Sequence, residues 1–178
     1  MMKILNKIKL LLGLCTSFVS LFCHSDVLIN VSATMISPAC NIRSENNSSP
    51  LKINFNTLNP EELNTSISTR NFPVYITGCD FSKNLAIILN PKGTNTLLYN
   101  GKKILATNID GLGIKFNEIT GGTTRSLEMN QTQRIYPERI NSALYRMDLQ
   151  AQLVNSIPIT QLQLGKFTSS VTIAVTYY

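Results

Sequence analysis

KFTSSVTIAVTYY, the run from Lys166 to Tyr178 that ends the sequence, decides the fold class. Apolar and polar residues alternate along it, which is the period of a half-buried β-strand. The apolar face carries Phe167, Val171, Ile173, Val175 and Tyr177, and the polar face carries Lys166, Thr168, Ser170, Thr172 and Thr176. No later strand follows in the sequence, so we expect either an earlier strand or another chain to pair with this one.

Earlier runs have the same period and lie between clusters of Asn, Gly, Pro and Ser. This pattern predicts a single antiparallel all-β domain, and no segment has the pattern of a long amphipathic helix. One short helical turn is predicted where Asn59, Pro60 and Glu62 supply an N-cap, a first-turn proline and a capping-box glutamate. The predicted strands are 51–55 (with Leu51, Ile53 and Phe55 on one face), 72–79, 85–89, 96–99, 103–106, 112–116 and 143–154.

The first 25 residues have the pattern of a secretory signal peptide. Lysines at positions 3, 7 and 9 precede an apolar run of about a dozen residues, shorter than the roughly 20 that a membrane-spanning helix needs. Cleavage after Ser25 would leave a mature chain of 153 residues. A lipoprotein signal at Cys15 or Cys23 is less favoured, because Leu14 and Phe22 before them are larger than such signals usually tolerate.

The predicted mature chain carries little net charge. Removal of the signal lowers the formal charge from +6 to +3, with 13 basic residues against 10 acidic ones. The remaining charges are scattered singly, which is typical of a solvated surface. We therefore expect no nucleic-acid partner.

Cys40 and Cys79 are the cysteines that remain after cleavage. Because the chain is sent to an oxidising compartment, we expect them to form a disulfide. In the chain-entropy model, closing a loop of about 40 residues stabilises the fold by about 4 kcal/mol. Two separate buried cysteines are the less favoured alternative.

The sequence offers no catalytic, cofactor-binding or metal site. Its one histidine, His24, lies in the predicted signal, and both mature cysteines are committed to a bridge. Ser-His-Asp, Cys-His and zinc sites therefore lack an essential member. The adjacent carboxylates Glu61 and Glu62 are interpreted as helix-capping groups, and Gly121-Gly122 as a turn without the lysine and spacing of a phosphate loop.

A series of short motifs runs through the predicted mature chain. Pro38-Ala39-Cys40 follows an alternating segment, Cys79 ends Ile76-Thr77-Gly78-Cys79, and Gly111-Leu112-Gly113-Ile114 lies in the middle. Gly165 is the fourteenth residue from the C-terminus and Tyr177 is the penultimate one. In this order and spacing, the motifs make the chain similar to the pilins of the chaperone-usher pathway. Asn59-Pro60-Glu61 and residues 104–109 most resemble the minor tip subunits of P-type pili, in particular the adaptor below the adhesin.

The resemblance implies an incomplete immunoglobulin-like sandwich over residues 38–178 that lacks its last strand and needs no cofactor. A groove would lie open beside the C-terminal strand. The resemblance implies that a periplasmic chaperone would first fill this groove, and that at the outer-membrane usher the extension of the next subunit would replace the chaperone. The protein would be secreted through the periplasm into a cell-surface pilus, with neighbouring pilins or a tip adhesin as partners. The groove residues would be Gly165, Phe167, Val171, Ile173, Val175 and Tyr177.

Residues 26–37 correspond to the extension that each pilin donates. The donor face would carry Val27, Ile29, Val31, Ala33 and Met35. Ala33 stands where the family usually has glycine, so its methyl group must fit where the donor backbone passes closest to the groove. We therefore expect strand exchange that is slower or more partner-selective.

Two other interpretations are open. A receptor-binding adhesin with a complete sandwich would be a soluble monomer in isolation, but two-domain adhesins lack such an extension and need room for a second domain. A closed sandwich that pairs its own end strands would unfold when residues 26–36 are removed. An open pilin would still fold with its chaperone after this removal.

Overall fold

Two antiparallel β-sheets dominate the computed structural model, which describes residues 39–47, 50–93 and 95–178. These residues belong to one unit that spans Ile36–Tyr178. Its short 3₁₀ turns are Pro60–Glu62, Thr120–Gly122 and Ile159–Gln161. The strands are β1 (Asn41–Ser44), β2 (Thr69–Thr77), β3 (Leu85–Pro91), β4 (Thr96–Tyr99), β5 (Lys102–Ala106), β6 (Leu112–Glu118), β7 (Arg125–Leu127), β8 (Gln133–Arg134), β9 (Glu138–Arg139), β10 (Leu144–Asn155) and β11 (Val171–Tyr177).

The larger sheet has the order β1-β2-β10-β6-β5-β4, with β7 added beside β6 and β9 beside β10. The smaller sheet has the order β11-β3-β8. In it, Val171 lies opposite Pro91 and Tyr177 lies opposite Leu85. This arrangement confirms the predicted all-β sandwich, and it pairs the last strand with an earlier one on one side.

The core lies between the two sheets. Ile76 and Leu149 of the larger sheet and Ile87 and Leu89 of the smaller one are 0% exposed. Ala86, on the other face of β3, is equally buried. This explains why residues 85–89 are nearly all apolar, because a strand buried on both faces has no position for a polar side chain.

A tight turn separates the predicted strands 96–99 and 103–106. Asn100 and Gly101 have φ values of 50° and 77°. Two consecutive residues with positive φ form the tight hairpin turn that Asn-Gly favours, and β4 ends and β5 begins on either side of it. The 3₁₀ turn at Pro60–Glu62 is also confirmed, with the Asn59 N–H donating to Oε2 of Glu62 at 2.7 Å.

The predicted strand at 51–55 is wrong. Phe55 is buried and Ile53 is half-buried, whereas Lys52 and Asn54 are exposed, so the faces alternate over residues 52–55, although Leu51, predicted on the buried face, is 40% exposed. No strand pairs with this segment among the described residues, however. Alternation predicts which side chains face the core, but a strand also requires a neighbouring backbone.

The last strand is shorter than predicted, because β11 begins at Val171 and not at Lys166. Its partner β3 ends at Pro91, opposite Val171, and the bond from Lys92 N–H to the Ser170 carbonyl is the last of the ladder, so residues 166–169 extend past its end. The short strands β1, β7, β8 and β9 were not predicted from the sequence. The predicted signal and the predicted donor residues 26–37 lie outside the described residues.

Candidate functional site

The edge of β11 is the first component of the candidate site. Lys92 N–H donates to the Ser170 carbonyl at 2.8 Å, and Tyr178 N–H donates to the Asn84 carbonyl at 2.9 Å. Every second residue of an antiparallel strand bonds to the same neighbour, so the backbone N–H and C=O groups of the even-numbered residues of β11 point toward β3. The backbone groups of the odd-numbered residues point toward the opposite edge, where no strand pairs with β11 in the described part of the chain.

The apolar face of β11 is only partly covered. Ile173 and Val175 pack against the core but are half-buried, whereas their partners Leu89 and Ile87 on β3 are 0% exposed. Val171 and Tyr177 are half-buried in the same way. Apolar surface therefore remains accessible along the whole of β11, beside an edge that pairs with no other strand in the described part of the chain.

A cavity of about 640 Å³ lies between residues 53–60 and residues 162–168. The ring of Phe167 lies 6.2 Å from that of Phe55, centroid to centroid. Gly165 also lines the cavity and is exposed. The cavity thus continues the accessible apolar surface beyond the start of β11, and its apolar walls include Phe55, Leu58, Leu112, Leu153, Leu162 and Phe167.

Arg70 fixes the segment that forms one wall of the cavity. Its Nε donates to the Asn54 carbonyl at 3.1 Å and its Nη2 to the Phe55 carbonyl at 3.0 Å. Its Nη1 donates to the carbonyls of Ile67 and Thr69, and the guanidinium lies 5.6 Å from the centre of the Phe55 ring. These bonds satisfy carbonyl groups of a segment that pairs with no strand in the described residues. Nothing in the sequence pattern singled out Arg70.

The predicted disulfide is confirmed at the other end of β11. Cys40 directly precedes β1 and is bonded to Cys79, which lies just after β2. Tyr177 ends β11 at the same end of the domain, where the Lys83 amine lies 5.3 Å from the centre of its ring. The predicted groove residues from Gly165 to Tyr177 all lie on β11 or on the segment directly before it. Their role in strand exchange stays a prediction.

The described residues contain no group of three or more His, Cys, Asp or Glu side chains that could hold a metal ion. Within the same parts of the chain, no helix is both long and apolar enough to cross a membrane.

Comparisons with known proteins agree with this architecture. Among solved structures, the P pilus rod subunit PapA has 14% sequence identity and a TM-score of 0.56, with 79% of this chain and 99% of that chain covered. The P pilus adaptor subunit PapF has 21% identity and a TM-score of 0.50, with 80% and 98% covered. A chaperone-usher pilus structure, solved to explain rod uncoiling, has 13% identity and a TM-score of 0.57, with 87% and 97% covered.

At these identities the structural matches establish the fold alone. No curated protein sequence matches the chain significantly. The model of one protein family, described as Fimbrial protein, matches residues 29–178. The chain therefore belongs to the fimbrial protein family, whose members are structural subunits of cell-surface pili and not enzymes.

Proposed function

We propose that this protein is a minor, adaptor-type subunit of a chaperone-usher pilus, and that it polymerises by donor-strand exchange at the open edge of β11. The observation that carries the proposal is the pairing of β11 with β3 on one side only, among the described residues, while its apolar face stays half-buried. An added strand would complete the ladder and cover that face.

The free energy of binding favours a groove that is already ordered before the donor strand binds. Covering a large apolar side chain contributes roughly 1.5 to 3 kcal/mol, and each new backbone hydrogen bond about 1 kcal/mol. Ordering the donor costs roughly 1 to 2 kcal/mol per residue, a comparable sum. A groove that also had to be ordered would bind weakly. The ladder between β11 and β3 and the Arg70 contacts support a preformed groove.

In this proposal residues 1–25 are the signal, 26–37 the donated extension and 38–178 the domain that accepts a strand. A periplasmic chaperone would hold the β11 edge until the usher exchanges it for the extension of a neighbouring subunit. The adaptor role rests on the resemblance of Asn59-Pro60-Glu61 and residues 104–109 to tip subunits. The fold shared with the adaptor PapF is consistent with it.

The test is to co-express the chain with candidate periplasmic chaperones and then to mix the purified chaperone-bound chain with peptides that copy residues 26–36 and the corresponding extensions of candidate neighbouring subunits. We expect binding, and we expect Ile173→Ser to weaken it about tenfold, because this substitution removes an apolar contact worth about 1.4 kcal/mol. The matched control is Thr172→Ser, whose side chain is exposed on the other face of β11.

A mature chain that is compact and monomeric alone, and that binds no extension peptide, would contradict the proposal and favour the adhesin. Deletion of residues 26–37 separates the two roles. The shortened chain should still fold with its chaperone and accept a strand, but it should no longer fill the groove of a neighbour.

A further inference from the structure

The residues just before β11 extend past the end of the strand that pairs with it. The bond from Lys92 N–H to the Ser170 carbonyl is the last backbone bond of the ladder between β3 and this part of the chain. After Lys92 the chain leads into β4, which pairs in the other sheet. Lys166 and Thr168 have the same even numbering as Ser170, so their backbone groups face the side where β3 has ended.

The side chain of Asn108 occupies that side. Its Nδ2 donates to the Lys166 carbonyl at 3.3 Å, and its Oδ1 accepts from Thr168 N–H at 2.7 Å. The Lys166 carbonyl and the Thr168 N–H flank Phe167 and face the same side of the segment, so one amide that donates to the first and accepts from the second bonds both backbone groups that β3 no longer reaches. A primary amide suits this role because it carries a donor and an acceptor together, as a peptide group does.

We propose that Asn108 is a positioning residue that continues the β3 side of the ladder and so lengthens the strand-accepting edge from Val171 back to Phe167. This inference rests on the function proposed above. With Lys166 and Thr168 held, the backbone groups of Phe167 and Ser169 face the same edge as the odd-numbered residues of β11. A donated strand then pairs past Val171 and reaches the cavity beside Phe167 and Phe55.

Two further contacts fit this arrangement. The ring of Phe167 packs against the core on the same face as Val171, so the alternation of faces continues through residues 167–170. Ser169 Oγ donates to the Ala106 carbonyl at 2.6 Å, which ties the segment to the loop that carries Asn108. Residues 104–109 therefore hold the segment before β11 in place through the hydrogen bonds of Ala106 and Asn108.

The first experiment measures amide hydrogen exchange at Thr168 in the mature chain bound to its periplasmic chaperone. We expect Thr168 to exchange at least tenfold faster in Asn108→Ala than in the wild type. Asn108→Asp keeps an acceptor for Thr168 N–H and should retain most of the protection. The matched control is Asn141→Ala, which removes an exposed asparagine whose Oδ1 accepts from Ala143 N–H in a distant loop. It should leave Thr168 unchanged.

The second experiment measures binding of the extension peptide, from this chain or from a candidate neighbouring subunit, that the wild type binds most tightly, and of two versions that lack three residues at one end or the other. The wild type should bind the full peptide about tenfold more tightly than the trimmed version that lacks the end beside Phe167. This version loses at least one backbone bond and one apolar contact. In Asn108→Ala this ratio should fall below about threefold, whereas Asn141→Ala should keep it.

Unchanged exchange at Thr168 in Asn108→Ala, or an unchanged ratio between full and trimmed peptides, would overturn the inference alone. Failure of the wild type to bind any of the peptides would instead contradict the proposed function, and the inference with it.

Discussion

The hydroxyl of Tyr177 accepts a hydrogen bond from the backbone N–H of Asp80, and the two atoms lie 2.8 Å apart. Asp80 directly follows Cys79, which is bonded to Cys40. The end of β11 is thereby tied to the crosslinked corner of the larger sheet. Hydrogen bonds from Ser82 hold the pKa of Asp80 below its usual value, so this turn keeps its charge in mildly acidic solution.

Tyr177→Phe should lower the free energy of unfolding by about 0.5 to 1.5 kcal/mol, because the partly buried N–H of Asp80 loses its acceptor. The measurement is urea unfolding of the mature chain with a bound donor peptide. Tyr178→Phe is the matched control, since the Tyr178 side chain is 69% exposed. Equal midpoints for the two variants would mean that the hydroxyl contributes nothing.

Replacement of both Cys40 and Cys79 by serine should cost about 2 to 5 kcal/mol, as loss of a disulfide usually does in a small exported domain. Urea midpoints with and without reductant give the answer. The wild type should lose stability in reductant, and the double variant should not respond to it. A wild type whose midpoint is unaffected by complete reduction would contradict this expectation.

Arg70→Lys should release residues 51–58 from the wall of the cavity, since one amine cannot replace a planar group that bonds several carbonyls at once. Unfolding should become easier by about 1 to 3 kcal/mol. Limited proteolysis should detect new cleavage within this segment. The control is Arg43→Lys, which alters an exposed arginine above the Tyr75 ring. Similar cleavage patterns in both variants would argue against a special role for Arg70.

Because the carboxyl of Glu118 is buried, we expect the stability of the fold to depend on pH. Burial raises the pKa of this carboxyl, although it accepts from Tyr136 N–H at 2.8 Å and lies 3.6 Å from Nη1 of Arg125. The folded state therefore holds the proton more tightly than the unfolded chain. Stability must then fall as the pH rises from the usual glutamate range through the raised pKa.

Glu118→Gln keeps an oxygen acceptor for Tyr136 N–H but does not ionise. Its stability relative to the wild type should therefore increase as the pH rises from 4 to 8, as measured by urea midpoints. Glu61→Gln, at an exposed position, serves as the control. A difference between Glu118→Gln and the wild type that stays constant over this range would show that the buried carboxyl does not titrate there.

Local patterns in the sequence predicted most of the strands, and the reason is visible at particular residues. β4 has the predicted bounds because Asn100-Gly101 dictates a tight turn at its end. The errors at 51–55 and 166–170 have one cause, since residues 52–55 and 166–170 alternate in burial but no strand pairs with either segment among the described residues. The contact of Asn108 with Lys166 spans 58 residues of sequence, so no local pattern could reveal it.

The sequence likewise predicted only part of the candidate site. The apolar residues of β11 and the disulfide were predicted because period two and cysteine count depend on residue type alone. The contacts of Arg70 with Asn54 and Phe55 were not, because an arginine that bonds backbone carbonyls has the same sequence signature as one in solvent.

The position of the disulfide also decides how the domain carries mechanical load. Asn41 pairs with Thr77, so tension applied through the chain before Cys40 would pull β1 away from β2 one pair at a time, starting at that end. The covalent link from Cys40 to Cys79 lies just before the first of these pairs. Tension is then transmitted through sulfur into β2, and β1 is shielded from being peeled away.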